Sequence, residues 1–193
     1  MVDEAKFRLY EALLKKYQDL INNIEKKTVG DIKALVNKND LTIQSFLQQF
    51  IPEKYLFKEK YLEVLEKVYN FLKQELDFTK VDFNLNFWLS PQEILKNKIA
   101  EDEDVSVFLC SIMHALGDEK ASVLIVEMSN LKSHAFVISE FDGQFVLLDL
   151  SQKTDFVKFF GEKEKVLEEF SYQEQKIKKL LYRFNNNEYE QFV

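Results

Sequence analysis

Four consecutive acids, Glu101, Asp102, Glu103 and Asp104, open the stretch of this chain best suited to chemistry. They stand where a helix macrodipole would be positive. Val105, Phe108, Leu109, Ile112, Met113 and Leu116 follow at helical spacing and make one broad apolar face. Gly117 suits the left-handed residue that ends a helix. The pattern predicts a core helix whose N-terminal N–H groups suit an anion or a nucleophile. A thiol nucleophile needs that position and a neighbouring histidine to activate it. Cys110, the one cysteine, lies about two turns and roughly 12 Å further along, among apolar neighbours, and reads as core. His114 is expected near the helix C-terminus, partly exposed and favoured by the dipole.

The elements around this helix show in the periodicity. Residues 3–27 carry Phe7, Tyr10, Leu13, Leu14, Tyr17, Leu20, Ile21 and Ile24 at helical spacing. Short helices are expected over residues 31–37 and after Thr42, with Pro52 as a stop. A long helix is expected over residues 58–75, from Tyr61, Leu62, Leu65, Val68, Tyr69 and Leu72. These helices read either as a scaffold packed on the second half or as a partner-binding arm. Ser90, Pro91 and Glu93 form a helix-start signature. Strands are expected over residues 121–128, 134–140 and 144–149, the last two joined by the hairpin turn pair Asp142-Gly143. A helix over residues 163–171 and an edge strand over residues 179–184 complete the chain. Helices first and strands later argue an α+β fold, divided as a helical region over residues 1–80 and a core over residues 81–193.

The stretch Glu103-Asp104, then Ala115-Leu116-Gly117, resembles the nucleophile helix of the transglutaminase-like (papain-like thiol) superfamily in its archaeal form. The family's histidine opens a strand, as His134-Ala135-Phe136-Val137 does here. Its acid ends the next strand, matching Leu148-Asp149-Leu150-Ser151, and Arg183-Phe184-Asn185 resembles the closing motif. The resemblance implies a papain/transglutaminase-like core, a central helix on an antiparallel sheet. It implies that Asp149 holds the His134 imidazole by Nδ1–H. It also puts Asp102 where the catalytic cysteine would stand. Trp88 then either walls a substrate groove, as family aromatics do, or is a core tryptophan. For His134 and Asp149 the plainer alternative is an ordinary strand-end pair.

Three functions follow. The first is an inactive transglutaminase-like binding or scaffold module, since the activated nucleophile is missing. The second is a hydrolase or acyl transferase acting on peptide amides by an altered mechanism, with His134 or Asp102 as general base toward water. The third is a metal site from Asp102, His134 and Asp149. Two carboxylates flanking His134 predict an Asp–His–Asp ion triad with a raised imidazole pKa. No cofactor is implied, and any partner would be a protein or peptide. Net charge is −7 and pI near 5.1, which argues against nucleic acid. A single cysteine, no signal pattern at the N-terminus and no long apolar run lead to the expectation of a cytoplasmic protein without membrane contact.

Overall fold

In the computed structural model, which describes residues 4–80, 85 and 87–192, the chain begins with four helices. They are α1 (Glu4–Ile24), α2 (Val29–Leu35), α3 (Leu41–Leu47) and α4 (Phe57–Glu75). Local chemistry sets their starts. Thr28 accepts from Asp31 N–H while Asp31 accepts from Thr28 N–H, a capping box. Asp40, not Thr42, caps α3, taking the N–H groups of Thr42 and Ile43. On α4, Tyr61, Val64, Leu65, Val68, Tyr69 and Leu72 form a fully buried stripe. The side chains of α1 do not join this packing, for none of them is buried.

Strand β1 (Asp77–Phe78) pairs in parallel with β2 (Ile99–Ala100), and α5 (Pro91–Asn97) lies between them in sequence. Ser90 and Glu93 cap α5 reciprocally, with Pro91 at the first turn. Next comes α6 (Asp102–Ala115), buried at every residue from Val105 to His114. Gly117 ends it at φ +106°. The Asp118 N–H reaches Met113 O and the Gly117 N–H reaches His114 O, the two bonds of a Schellman stop.

An antiparallel sheet follows. β3 (Ser122–Met128), β4 (Ser133–Phe141) and β5 (Gln144–Leu148) are joined in register, then β6 (Phe160–Gly161). The β4–β5 turn is two residues, Asp142 at φ 50° and Gly143 at φ 75°, as a tight hairpin requires. The order is β6-β5-β4-β3-β8, where β8 (Gln175–Phe184) follows α7 (Lys163–Glu169) and β7 (Ser171–Tyr172). β8 is longer than the sequence suggested and is not an edge. It pairs with β3 on one side, and with β7 and β9 (Tyr189–Gln191) on the other.

Strand alternation divides the core. Val123, Ile125, Ala135, Val137, Val146 and Leu148 face α3, α4 and α6. Leu124, Val126, Phe136, Ile138 and Leu147 face Phe159, Val166 and Phe170, so the sheet is covered on both sides. His114 is buried, contrary to the expectation from the dipole. Its Nε2 lies 2.8 Å from Ala121 O, and Nδ1 lies 3.6 Å from Glu119. Cys110 is wholly buried, as its apolar neighbours require. Among the described residues no helix is long and apolar enough to cross a membrane.

A buried polar knot ties α4 to the sheet. Asp118 accepts from Tyr61 OH at 2.5 Å, from Ser139 Oγ at 2.7 Å and from Lys120 N–H at 3.1 Å. Tyr61→Phe removes one charge-assisted bond from a buried carboxylate. The expected loss is about 1.5–3 kcal/mol, read as a lower denaturant midpoint with unchanged slope.

Candidate functional site

The N-terminus of α6 meets the start of β4. Asp102, the first residue of α6, is buried, and its Oδ2 accepts the Ala135 N–H at 2.9 Å. That bond hooks the helix start onto the strand. His134 is fully buried and follows Phe136 and Ile138 on the face turned away from α6. Asp104 fastens the same helix start from the other side, accepting from Leu89 N–H at 2.8 Å and Glu101 N–H at 3.2 Å. Burial raises its carboxyl to about 6.

Asp149 follows the last residue of β5 and caps a short 3-10 turn, Leu150–Gln152. Its Oδ1 accepts from Ser151 N–H at 3.1 Å and Ser151 Oγ at 2.6 Å. Its Oδ2 accepts from Gln152 Nε2 at 2.8 Å. Tyr69 of α4 donates to the Asp149 carbonyl at 3.1 Å, which fixes the turn against the helical layer.

The three residues selected from the sequence come together with His134 in the middle. His134 Nε2 lies 2.8 Å from Asp149 Oδ2. Nδ1 lies 2.7 Å from Asp102 Oδ2, an ion-pair contact bent off the ring N–H direction. The expected assignment of Asp149 to Nδ1 is therefore corrected. Asp149 lies beyond the end of β5 and reaches the outer nitrogen, and the helix start takes the inner one. This geometry also argues against the metal alternative, because the two carboxylates occupy opposite nitrogens. Among the described residues no group of three or more His, Cys, Asp and Glu side chains is arranged so that it could hold a metal ion.

The electrostatics follow from this sandwich. Burial pulls the His134 pKa down, but the bonds to Asp102 and Asp149 and then their charges outweigh it and hold it at about 9. For Asp102, burial opposes ionisation. The His134 bond overcomes it, with Glu103 and Lys80 adding, so this carboxyl sits well below its usual range. Glu103 beside it is raised to about 8, by burial first and then by its bond to Asp102 and that residue's charge. The start of α6 thus carries an ionised Asp102 next to a protonated Glu103 at neutral pH.

Two partners of the site carried no sequence signal. Tyr172 stacks on the imidazole, with ring centroids 3.9 Å apart and planes inclined by 17°. Lys80 donates to Ser133 O at 2.7 Å and stands 3.8 Å from Asp102 Oδ1. With Asp102, Ser151, Gln152 and Gln173 they line a cleft of about 340 Å³. Trp88 does not line it among the described residues. It packs edge-on against Phe184, 6.4 Å between centroids, at the margin of the core. Asn185 of the closing motif is buried and structural, donating to Ala121 O and to Ser122 Oγ, each at 3.2 Å. Tyr172→Leu is expected to lower the His134 pKa by about 0.4–1.5 units, because a ring face stabilises the imidazolium by roughly 0.5–2 kcal/mol. Titration of the imidazole by NMR reads this directly.

The first side chain of α6 thus meets the histidine of β4, and an acid just past β5 meets that histidine from the other side. Residues 21–184 match the transglutaminase-like domain family, and the chain belongs to it. Solved structures of Legionella pneumophila LapG share the fold. The EGTA-treated form is 13% identical with a TM-score of 0.53, covering 91% of this chain and 85% of that one. A further LapG structure is 13% identical at 0.54, covering 90% and 86%. The calcium-bound form is 15% identical at 0.52, covering 77% and 85%. No curated protein matches the chain.

Proposed function

We propose that this protein is a non-catalytic transglutaminase-like module, in which Asp102 stands at the nucleophile's position and the cleft beside it binds a peptide or protein segment. One observation carries the reading: the Asp102 carboxylate lies 2.7 Å from His134 Nδ1 at the start of α6, and the resemblance of the sequence to archaeal members assigns that position to the cysteine. A carboxylate there is a weak nucleophile toward an amide, and this one is held ionised by its ion pair. Cys110 offers no replacement thiol, because it is wholly buried and burial raises its pKa strongly.

The same electrostatics weigh against hydrolysis by general-base attack of water. With its pKa at about 9, His134 is neutral in only about 1% of molecules at pH 7. The fixed ion pair replaces the thiolate–imidazolium pair of a thiol enzyme and keeps the cleft shaped without chemistry.

The test compares the natural chain with Asp102→Cys on a panel of fluorogenic peptide amides. The natural chain is expected to release no amine above the His134→Ala background. Turnover that disappears in His134→Ala would overturn the reading in favour of an altered hydrolytic mechanism.

A further inference from the structure

Helix α1 is amphipathic yet contributes nothing to the core. It spans Glu4–Ile24, about 31 Å of helix, and none of its residues is buried. Phe7, Tyr10, Leu13, Tyr17, Leu20 and Ile24 are between 43% and 71% exposed. Leu14 and Ile21 are half-buried and the rest of the apolar face is open, and a helix this weakly packed is marginal in water, so its sequence implies a covering partner.

The spacing identifies the kind of partner. Phe7, Tyr10, Leu14, Tyr17, Ile21 and Ile24 alternate at intervals of three and four without a break. That is a period of 3.5, the a and d positions of a coiled coil, which keep one seam facing a second helix. Leu13 and Leu20 repeat seven apart in the flanking g column.

We infer that α1 is a self-association helix, and that its apolar seam is covered by α1 of a second copy of this chain in an antiparallel pair. The sequence is self-complementary in that arrangement. Phe7 meets Ile24, Tyr10 meets Ile21, and Leu14 meets Tyr17, each pair occurring twice about the two-fold axis. Leu13 faces Leu20 in the g columns. A parallel pair would instead set Leu13 and Leu20 against Gln18 and Glu25. Its one gain, Lys6 opposite Glu11, is an exposed ion pair, which contributes less than the burial of leucine side chains. The exposed large side chains offer roughly 500–600 Å² per copy, or about 1,100 Å² in a pair, just below the roughly 1,200 Å² at which stable interfaces begin. The association is therefore reversible and concentration-dependent.

Sedimentation equilibrium of the full chain across the micromolar range tests this. The expected result is a mass that rises with concentration toward twice the 22.9 kDa of one chain. Leu14→Glu and Ile21→Glu are each expected to give a monomer with unchanged Trp88 fluorescence, because α1 supports none of the core in which Trp88 packs on Phe184. A natural chain that stays monomeric overturns the inference, including one that binds anionic vesicles through α1. So does a dimer that survives both substitutions. Orientation is read by mixing Leu13→Cys and Leu20→Cys chains under mild oxidation, with Cys110 buried and out of reach. The antiparallel pair gives the mixed disulfide in excess, and a product dominated by either symmetric disulfide overturns it.

Discussion

Asp102→Cys is expected to produce a thiol far more acidic than free cysteine. The new sulfur would stand at the first residue of α6, where unpaired N–H groups and the helix dipole favour an anion. It would also replace a carboxylate that now lies 2.7 Å from His134 Nδ1, with Asp149 2.8 Å from the far nitrogen. That array can hold a thiolate–imidazolium pair, so a pKa at least about two units below the free value of roughly 8.5 is expected. The Ala135 N–H loses its carboxylate acceptor, which costs about 1–3 kcal/mol and leaves the variant folded but weaker. Alkylation rate against pH measures the thiol pKa. Adding His134→Ala should return it toward about 8.5. The natural chain gives a clean background, since Cys110 is buried. A thiol that titrates near the free value with His134 in place would show that the site cannot activate a nucleophile at all. The proposal that Asp102 stands at a nucleophile's position would then fail.

Stability is expected to fall as pH rises from about 6 to 9. His134 has a folded pKa of about 9 against an ordinary 6.5. Its contribution is complete below 6.5 and is lost as pH climbs through 9. A difference of about 2.5 units corresponds to about 3 kcal/mol. Glu103 acts in the same direction, since a pKa of about 8 against 4.5 makes the protonated carboxyl the favoured folded form. Asp102 acts oppositely. Its lowered pKa contributes above the ordinary 3.8 and is lost as acid protonates it. Asp104, at about 6 against 3.8, acts with Glu103, so the maximum is expected near pH 4, with Tm falling from there and by on the order of 10 °C between pH 6 and 9. His134→Gln should reduce the slope above pH 6.5, leaving the Glu103 part up to about 8, while lowering stability throughout, because two buried carboxylates lose their shared cation. Thermal unfolding at a series of pH values settles this, and a flat profile from 6 to 9 in the natural chain would rule out the ion triad.

The parts of this protein legible in the sequence are those decided within a few residues. The capping box of Ser90 and Glu93, the stop at Gly117 and the Asp142-Gly143 turn each depend on backbone groups three to five residues away. The helical stripe of α4 and the unbroken apolar run of α6 likewise announce burial without naming what buries them. His134 and Asp149 were legible because one hairpin carries them both, and motif order placed Asp102 with them. Tertiary structure decided how they face each other. Which imidazole nitrogen meets which acid depends on where α6 lies over the sheet and on where the chain leaves β5. The Tyr172 stack depends on the pairing of β8 with β3, which carries the short β7 arm of the β7–β8 hairpin to the start of β4. His114 went from an expected surface position to a buried one because the chain after Gly117 folds back over it to start β3. In each case a side chain's burial and partners were set by the path of the chain beyond its own element, which composition and spacing do not register.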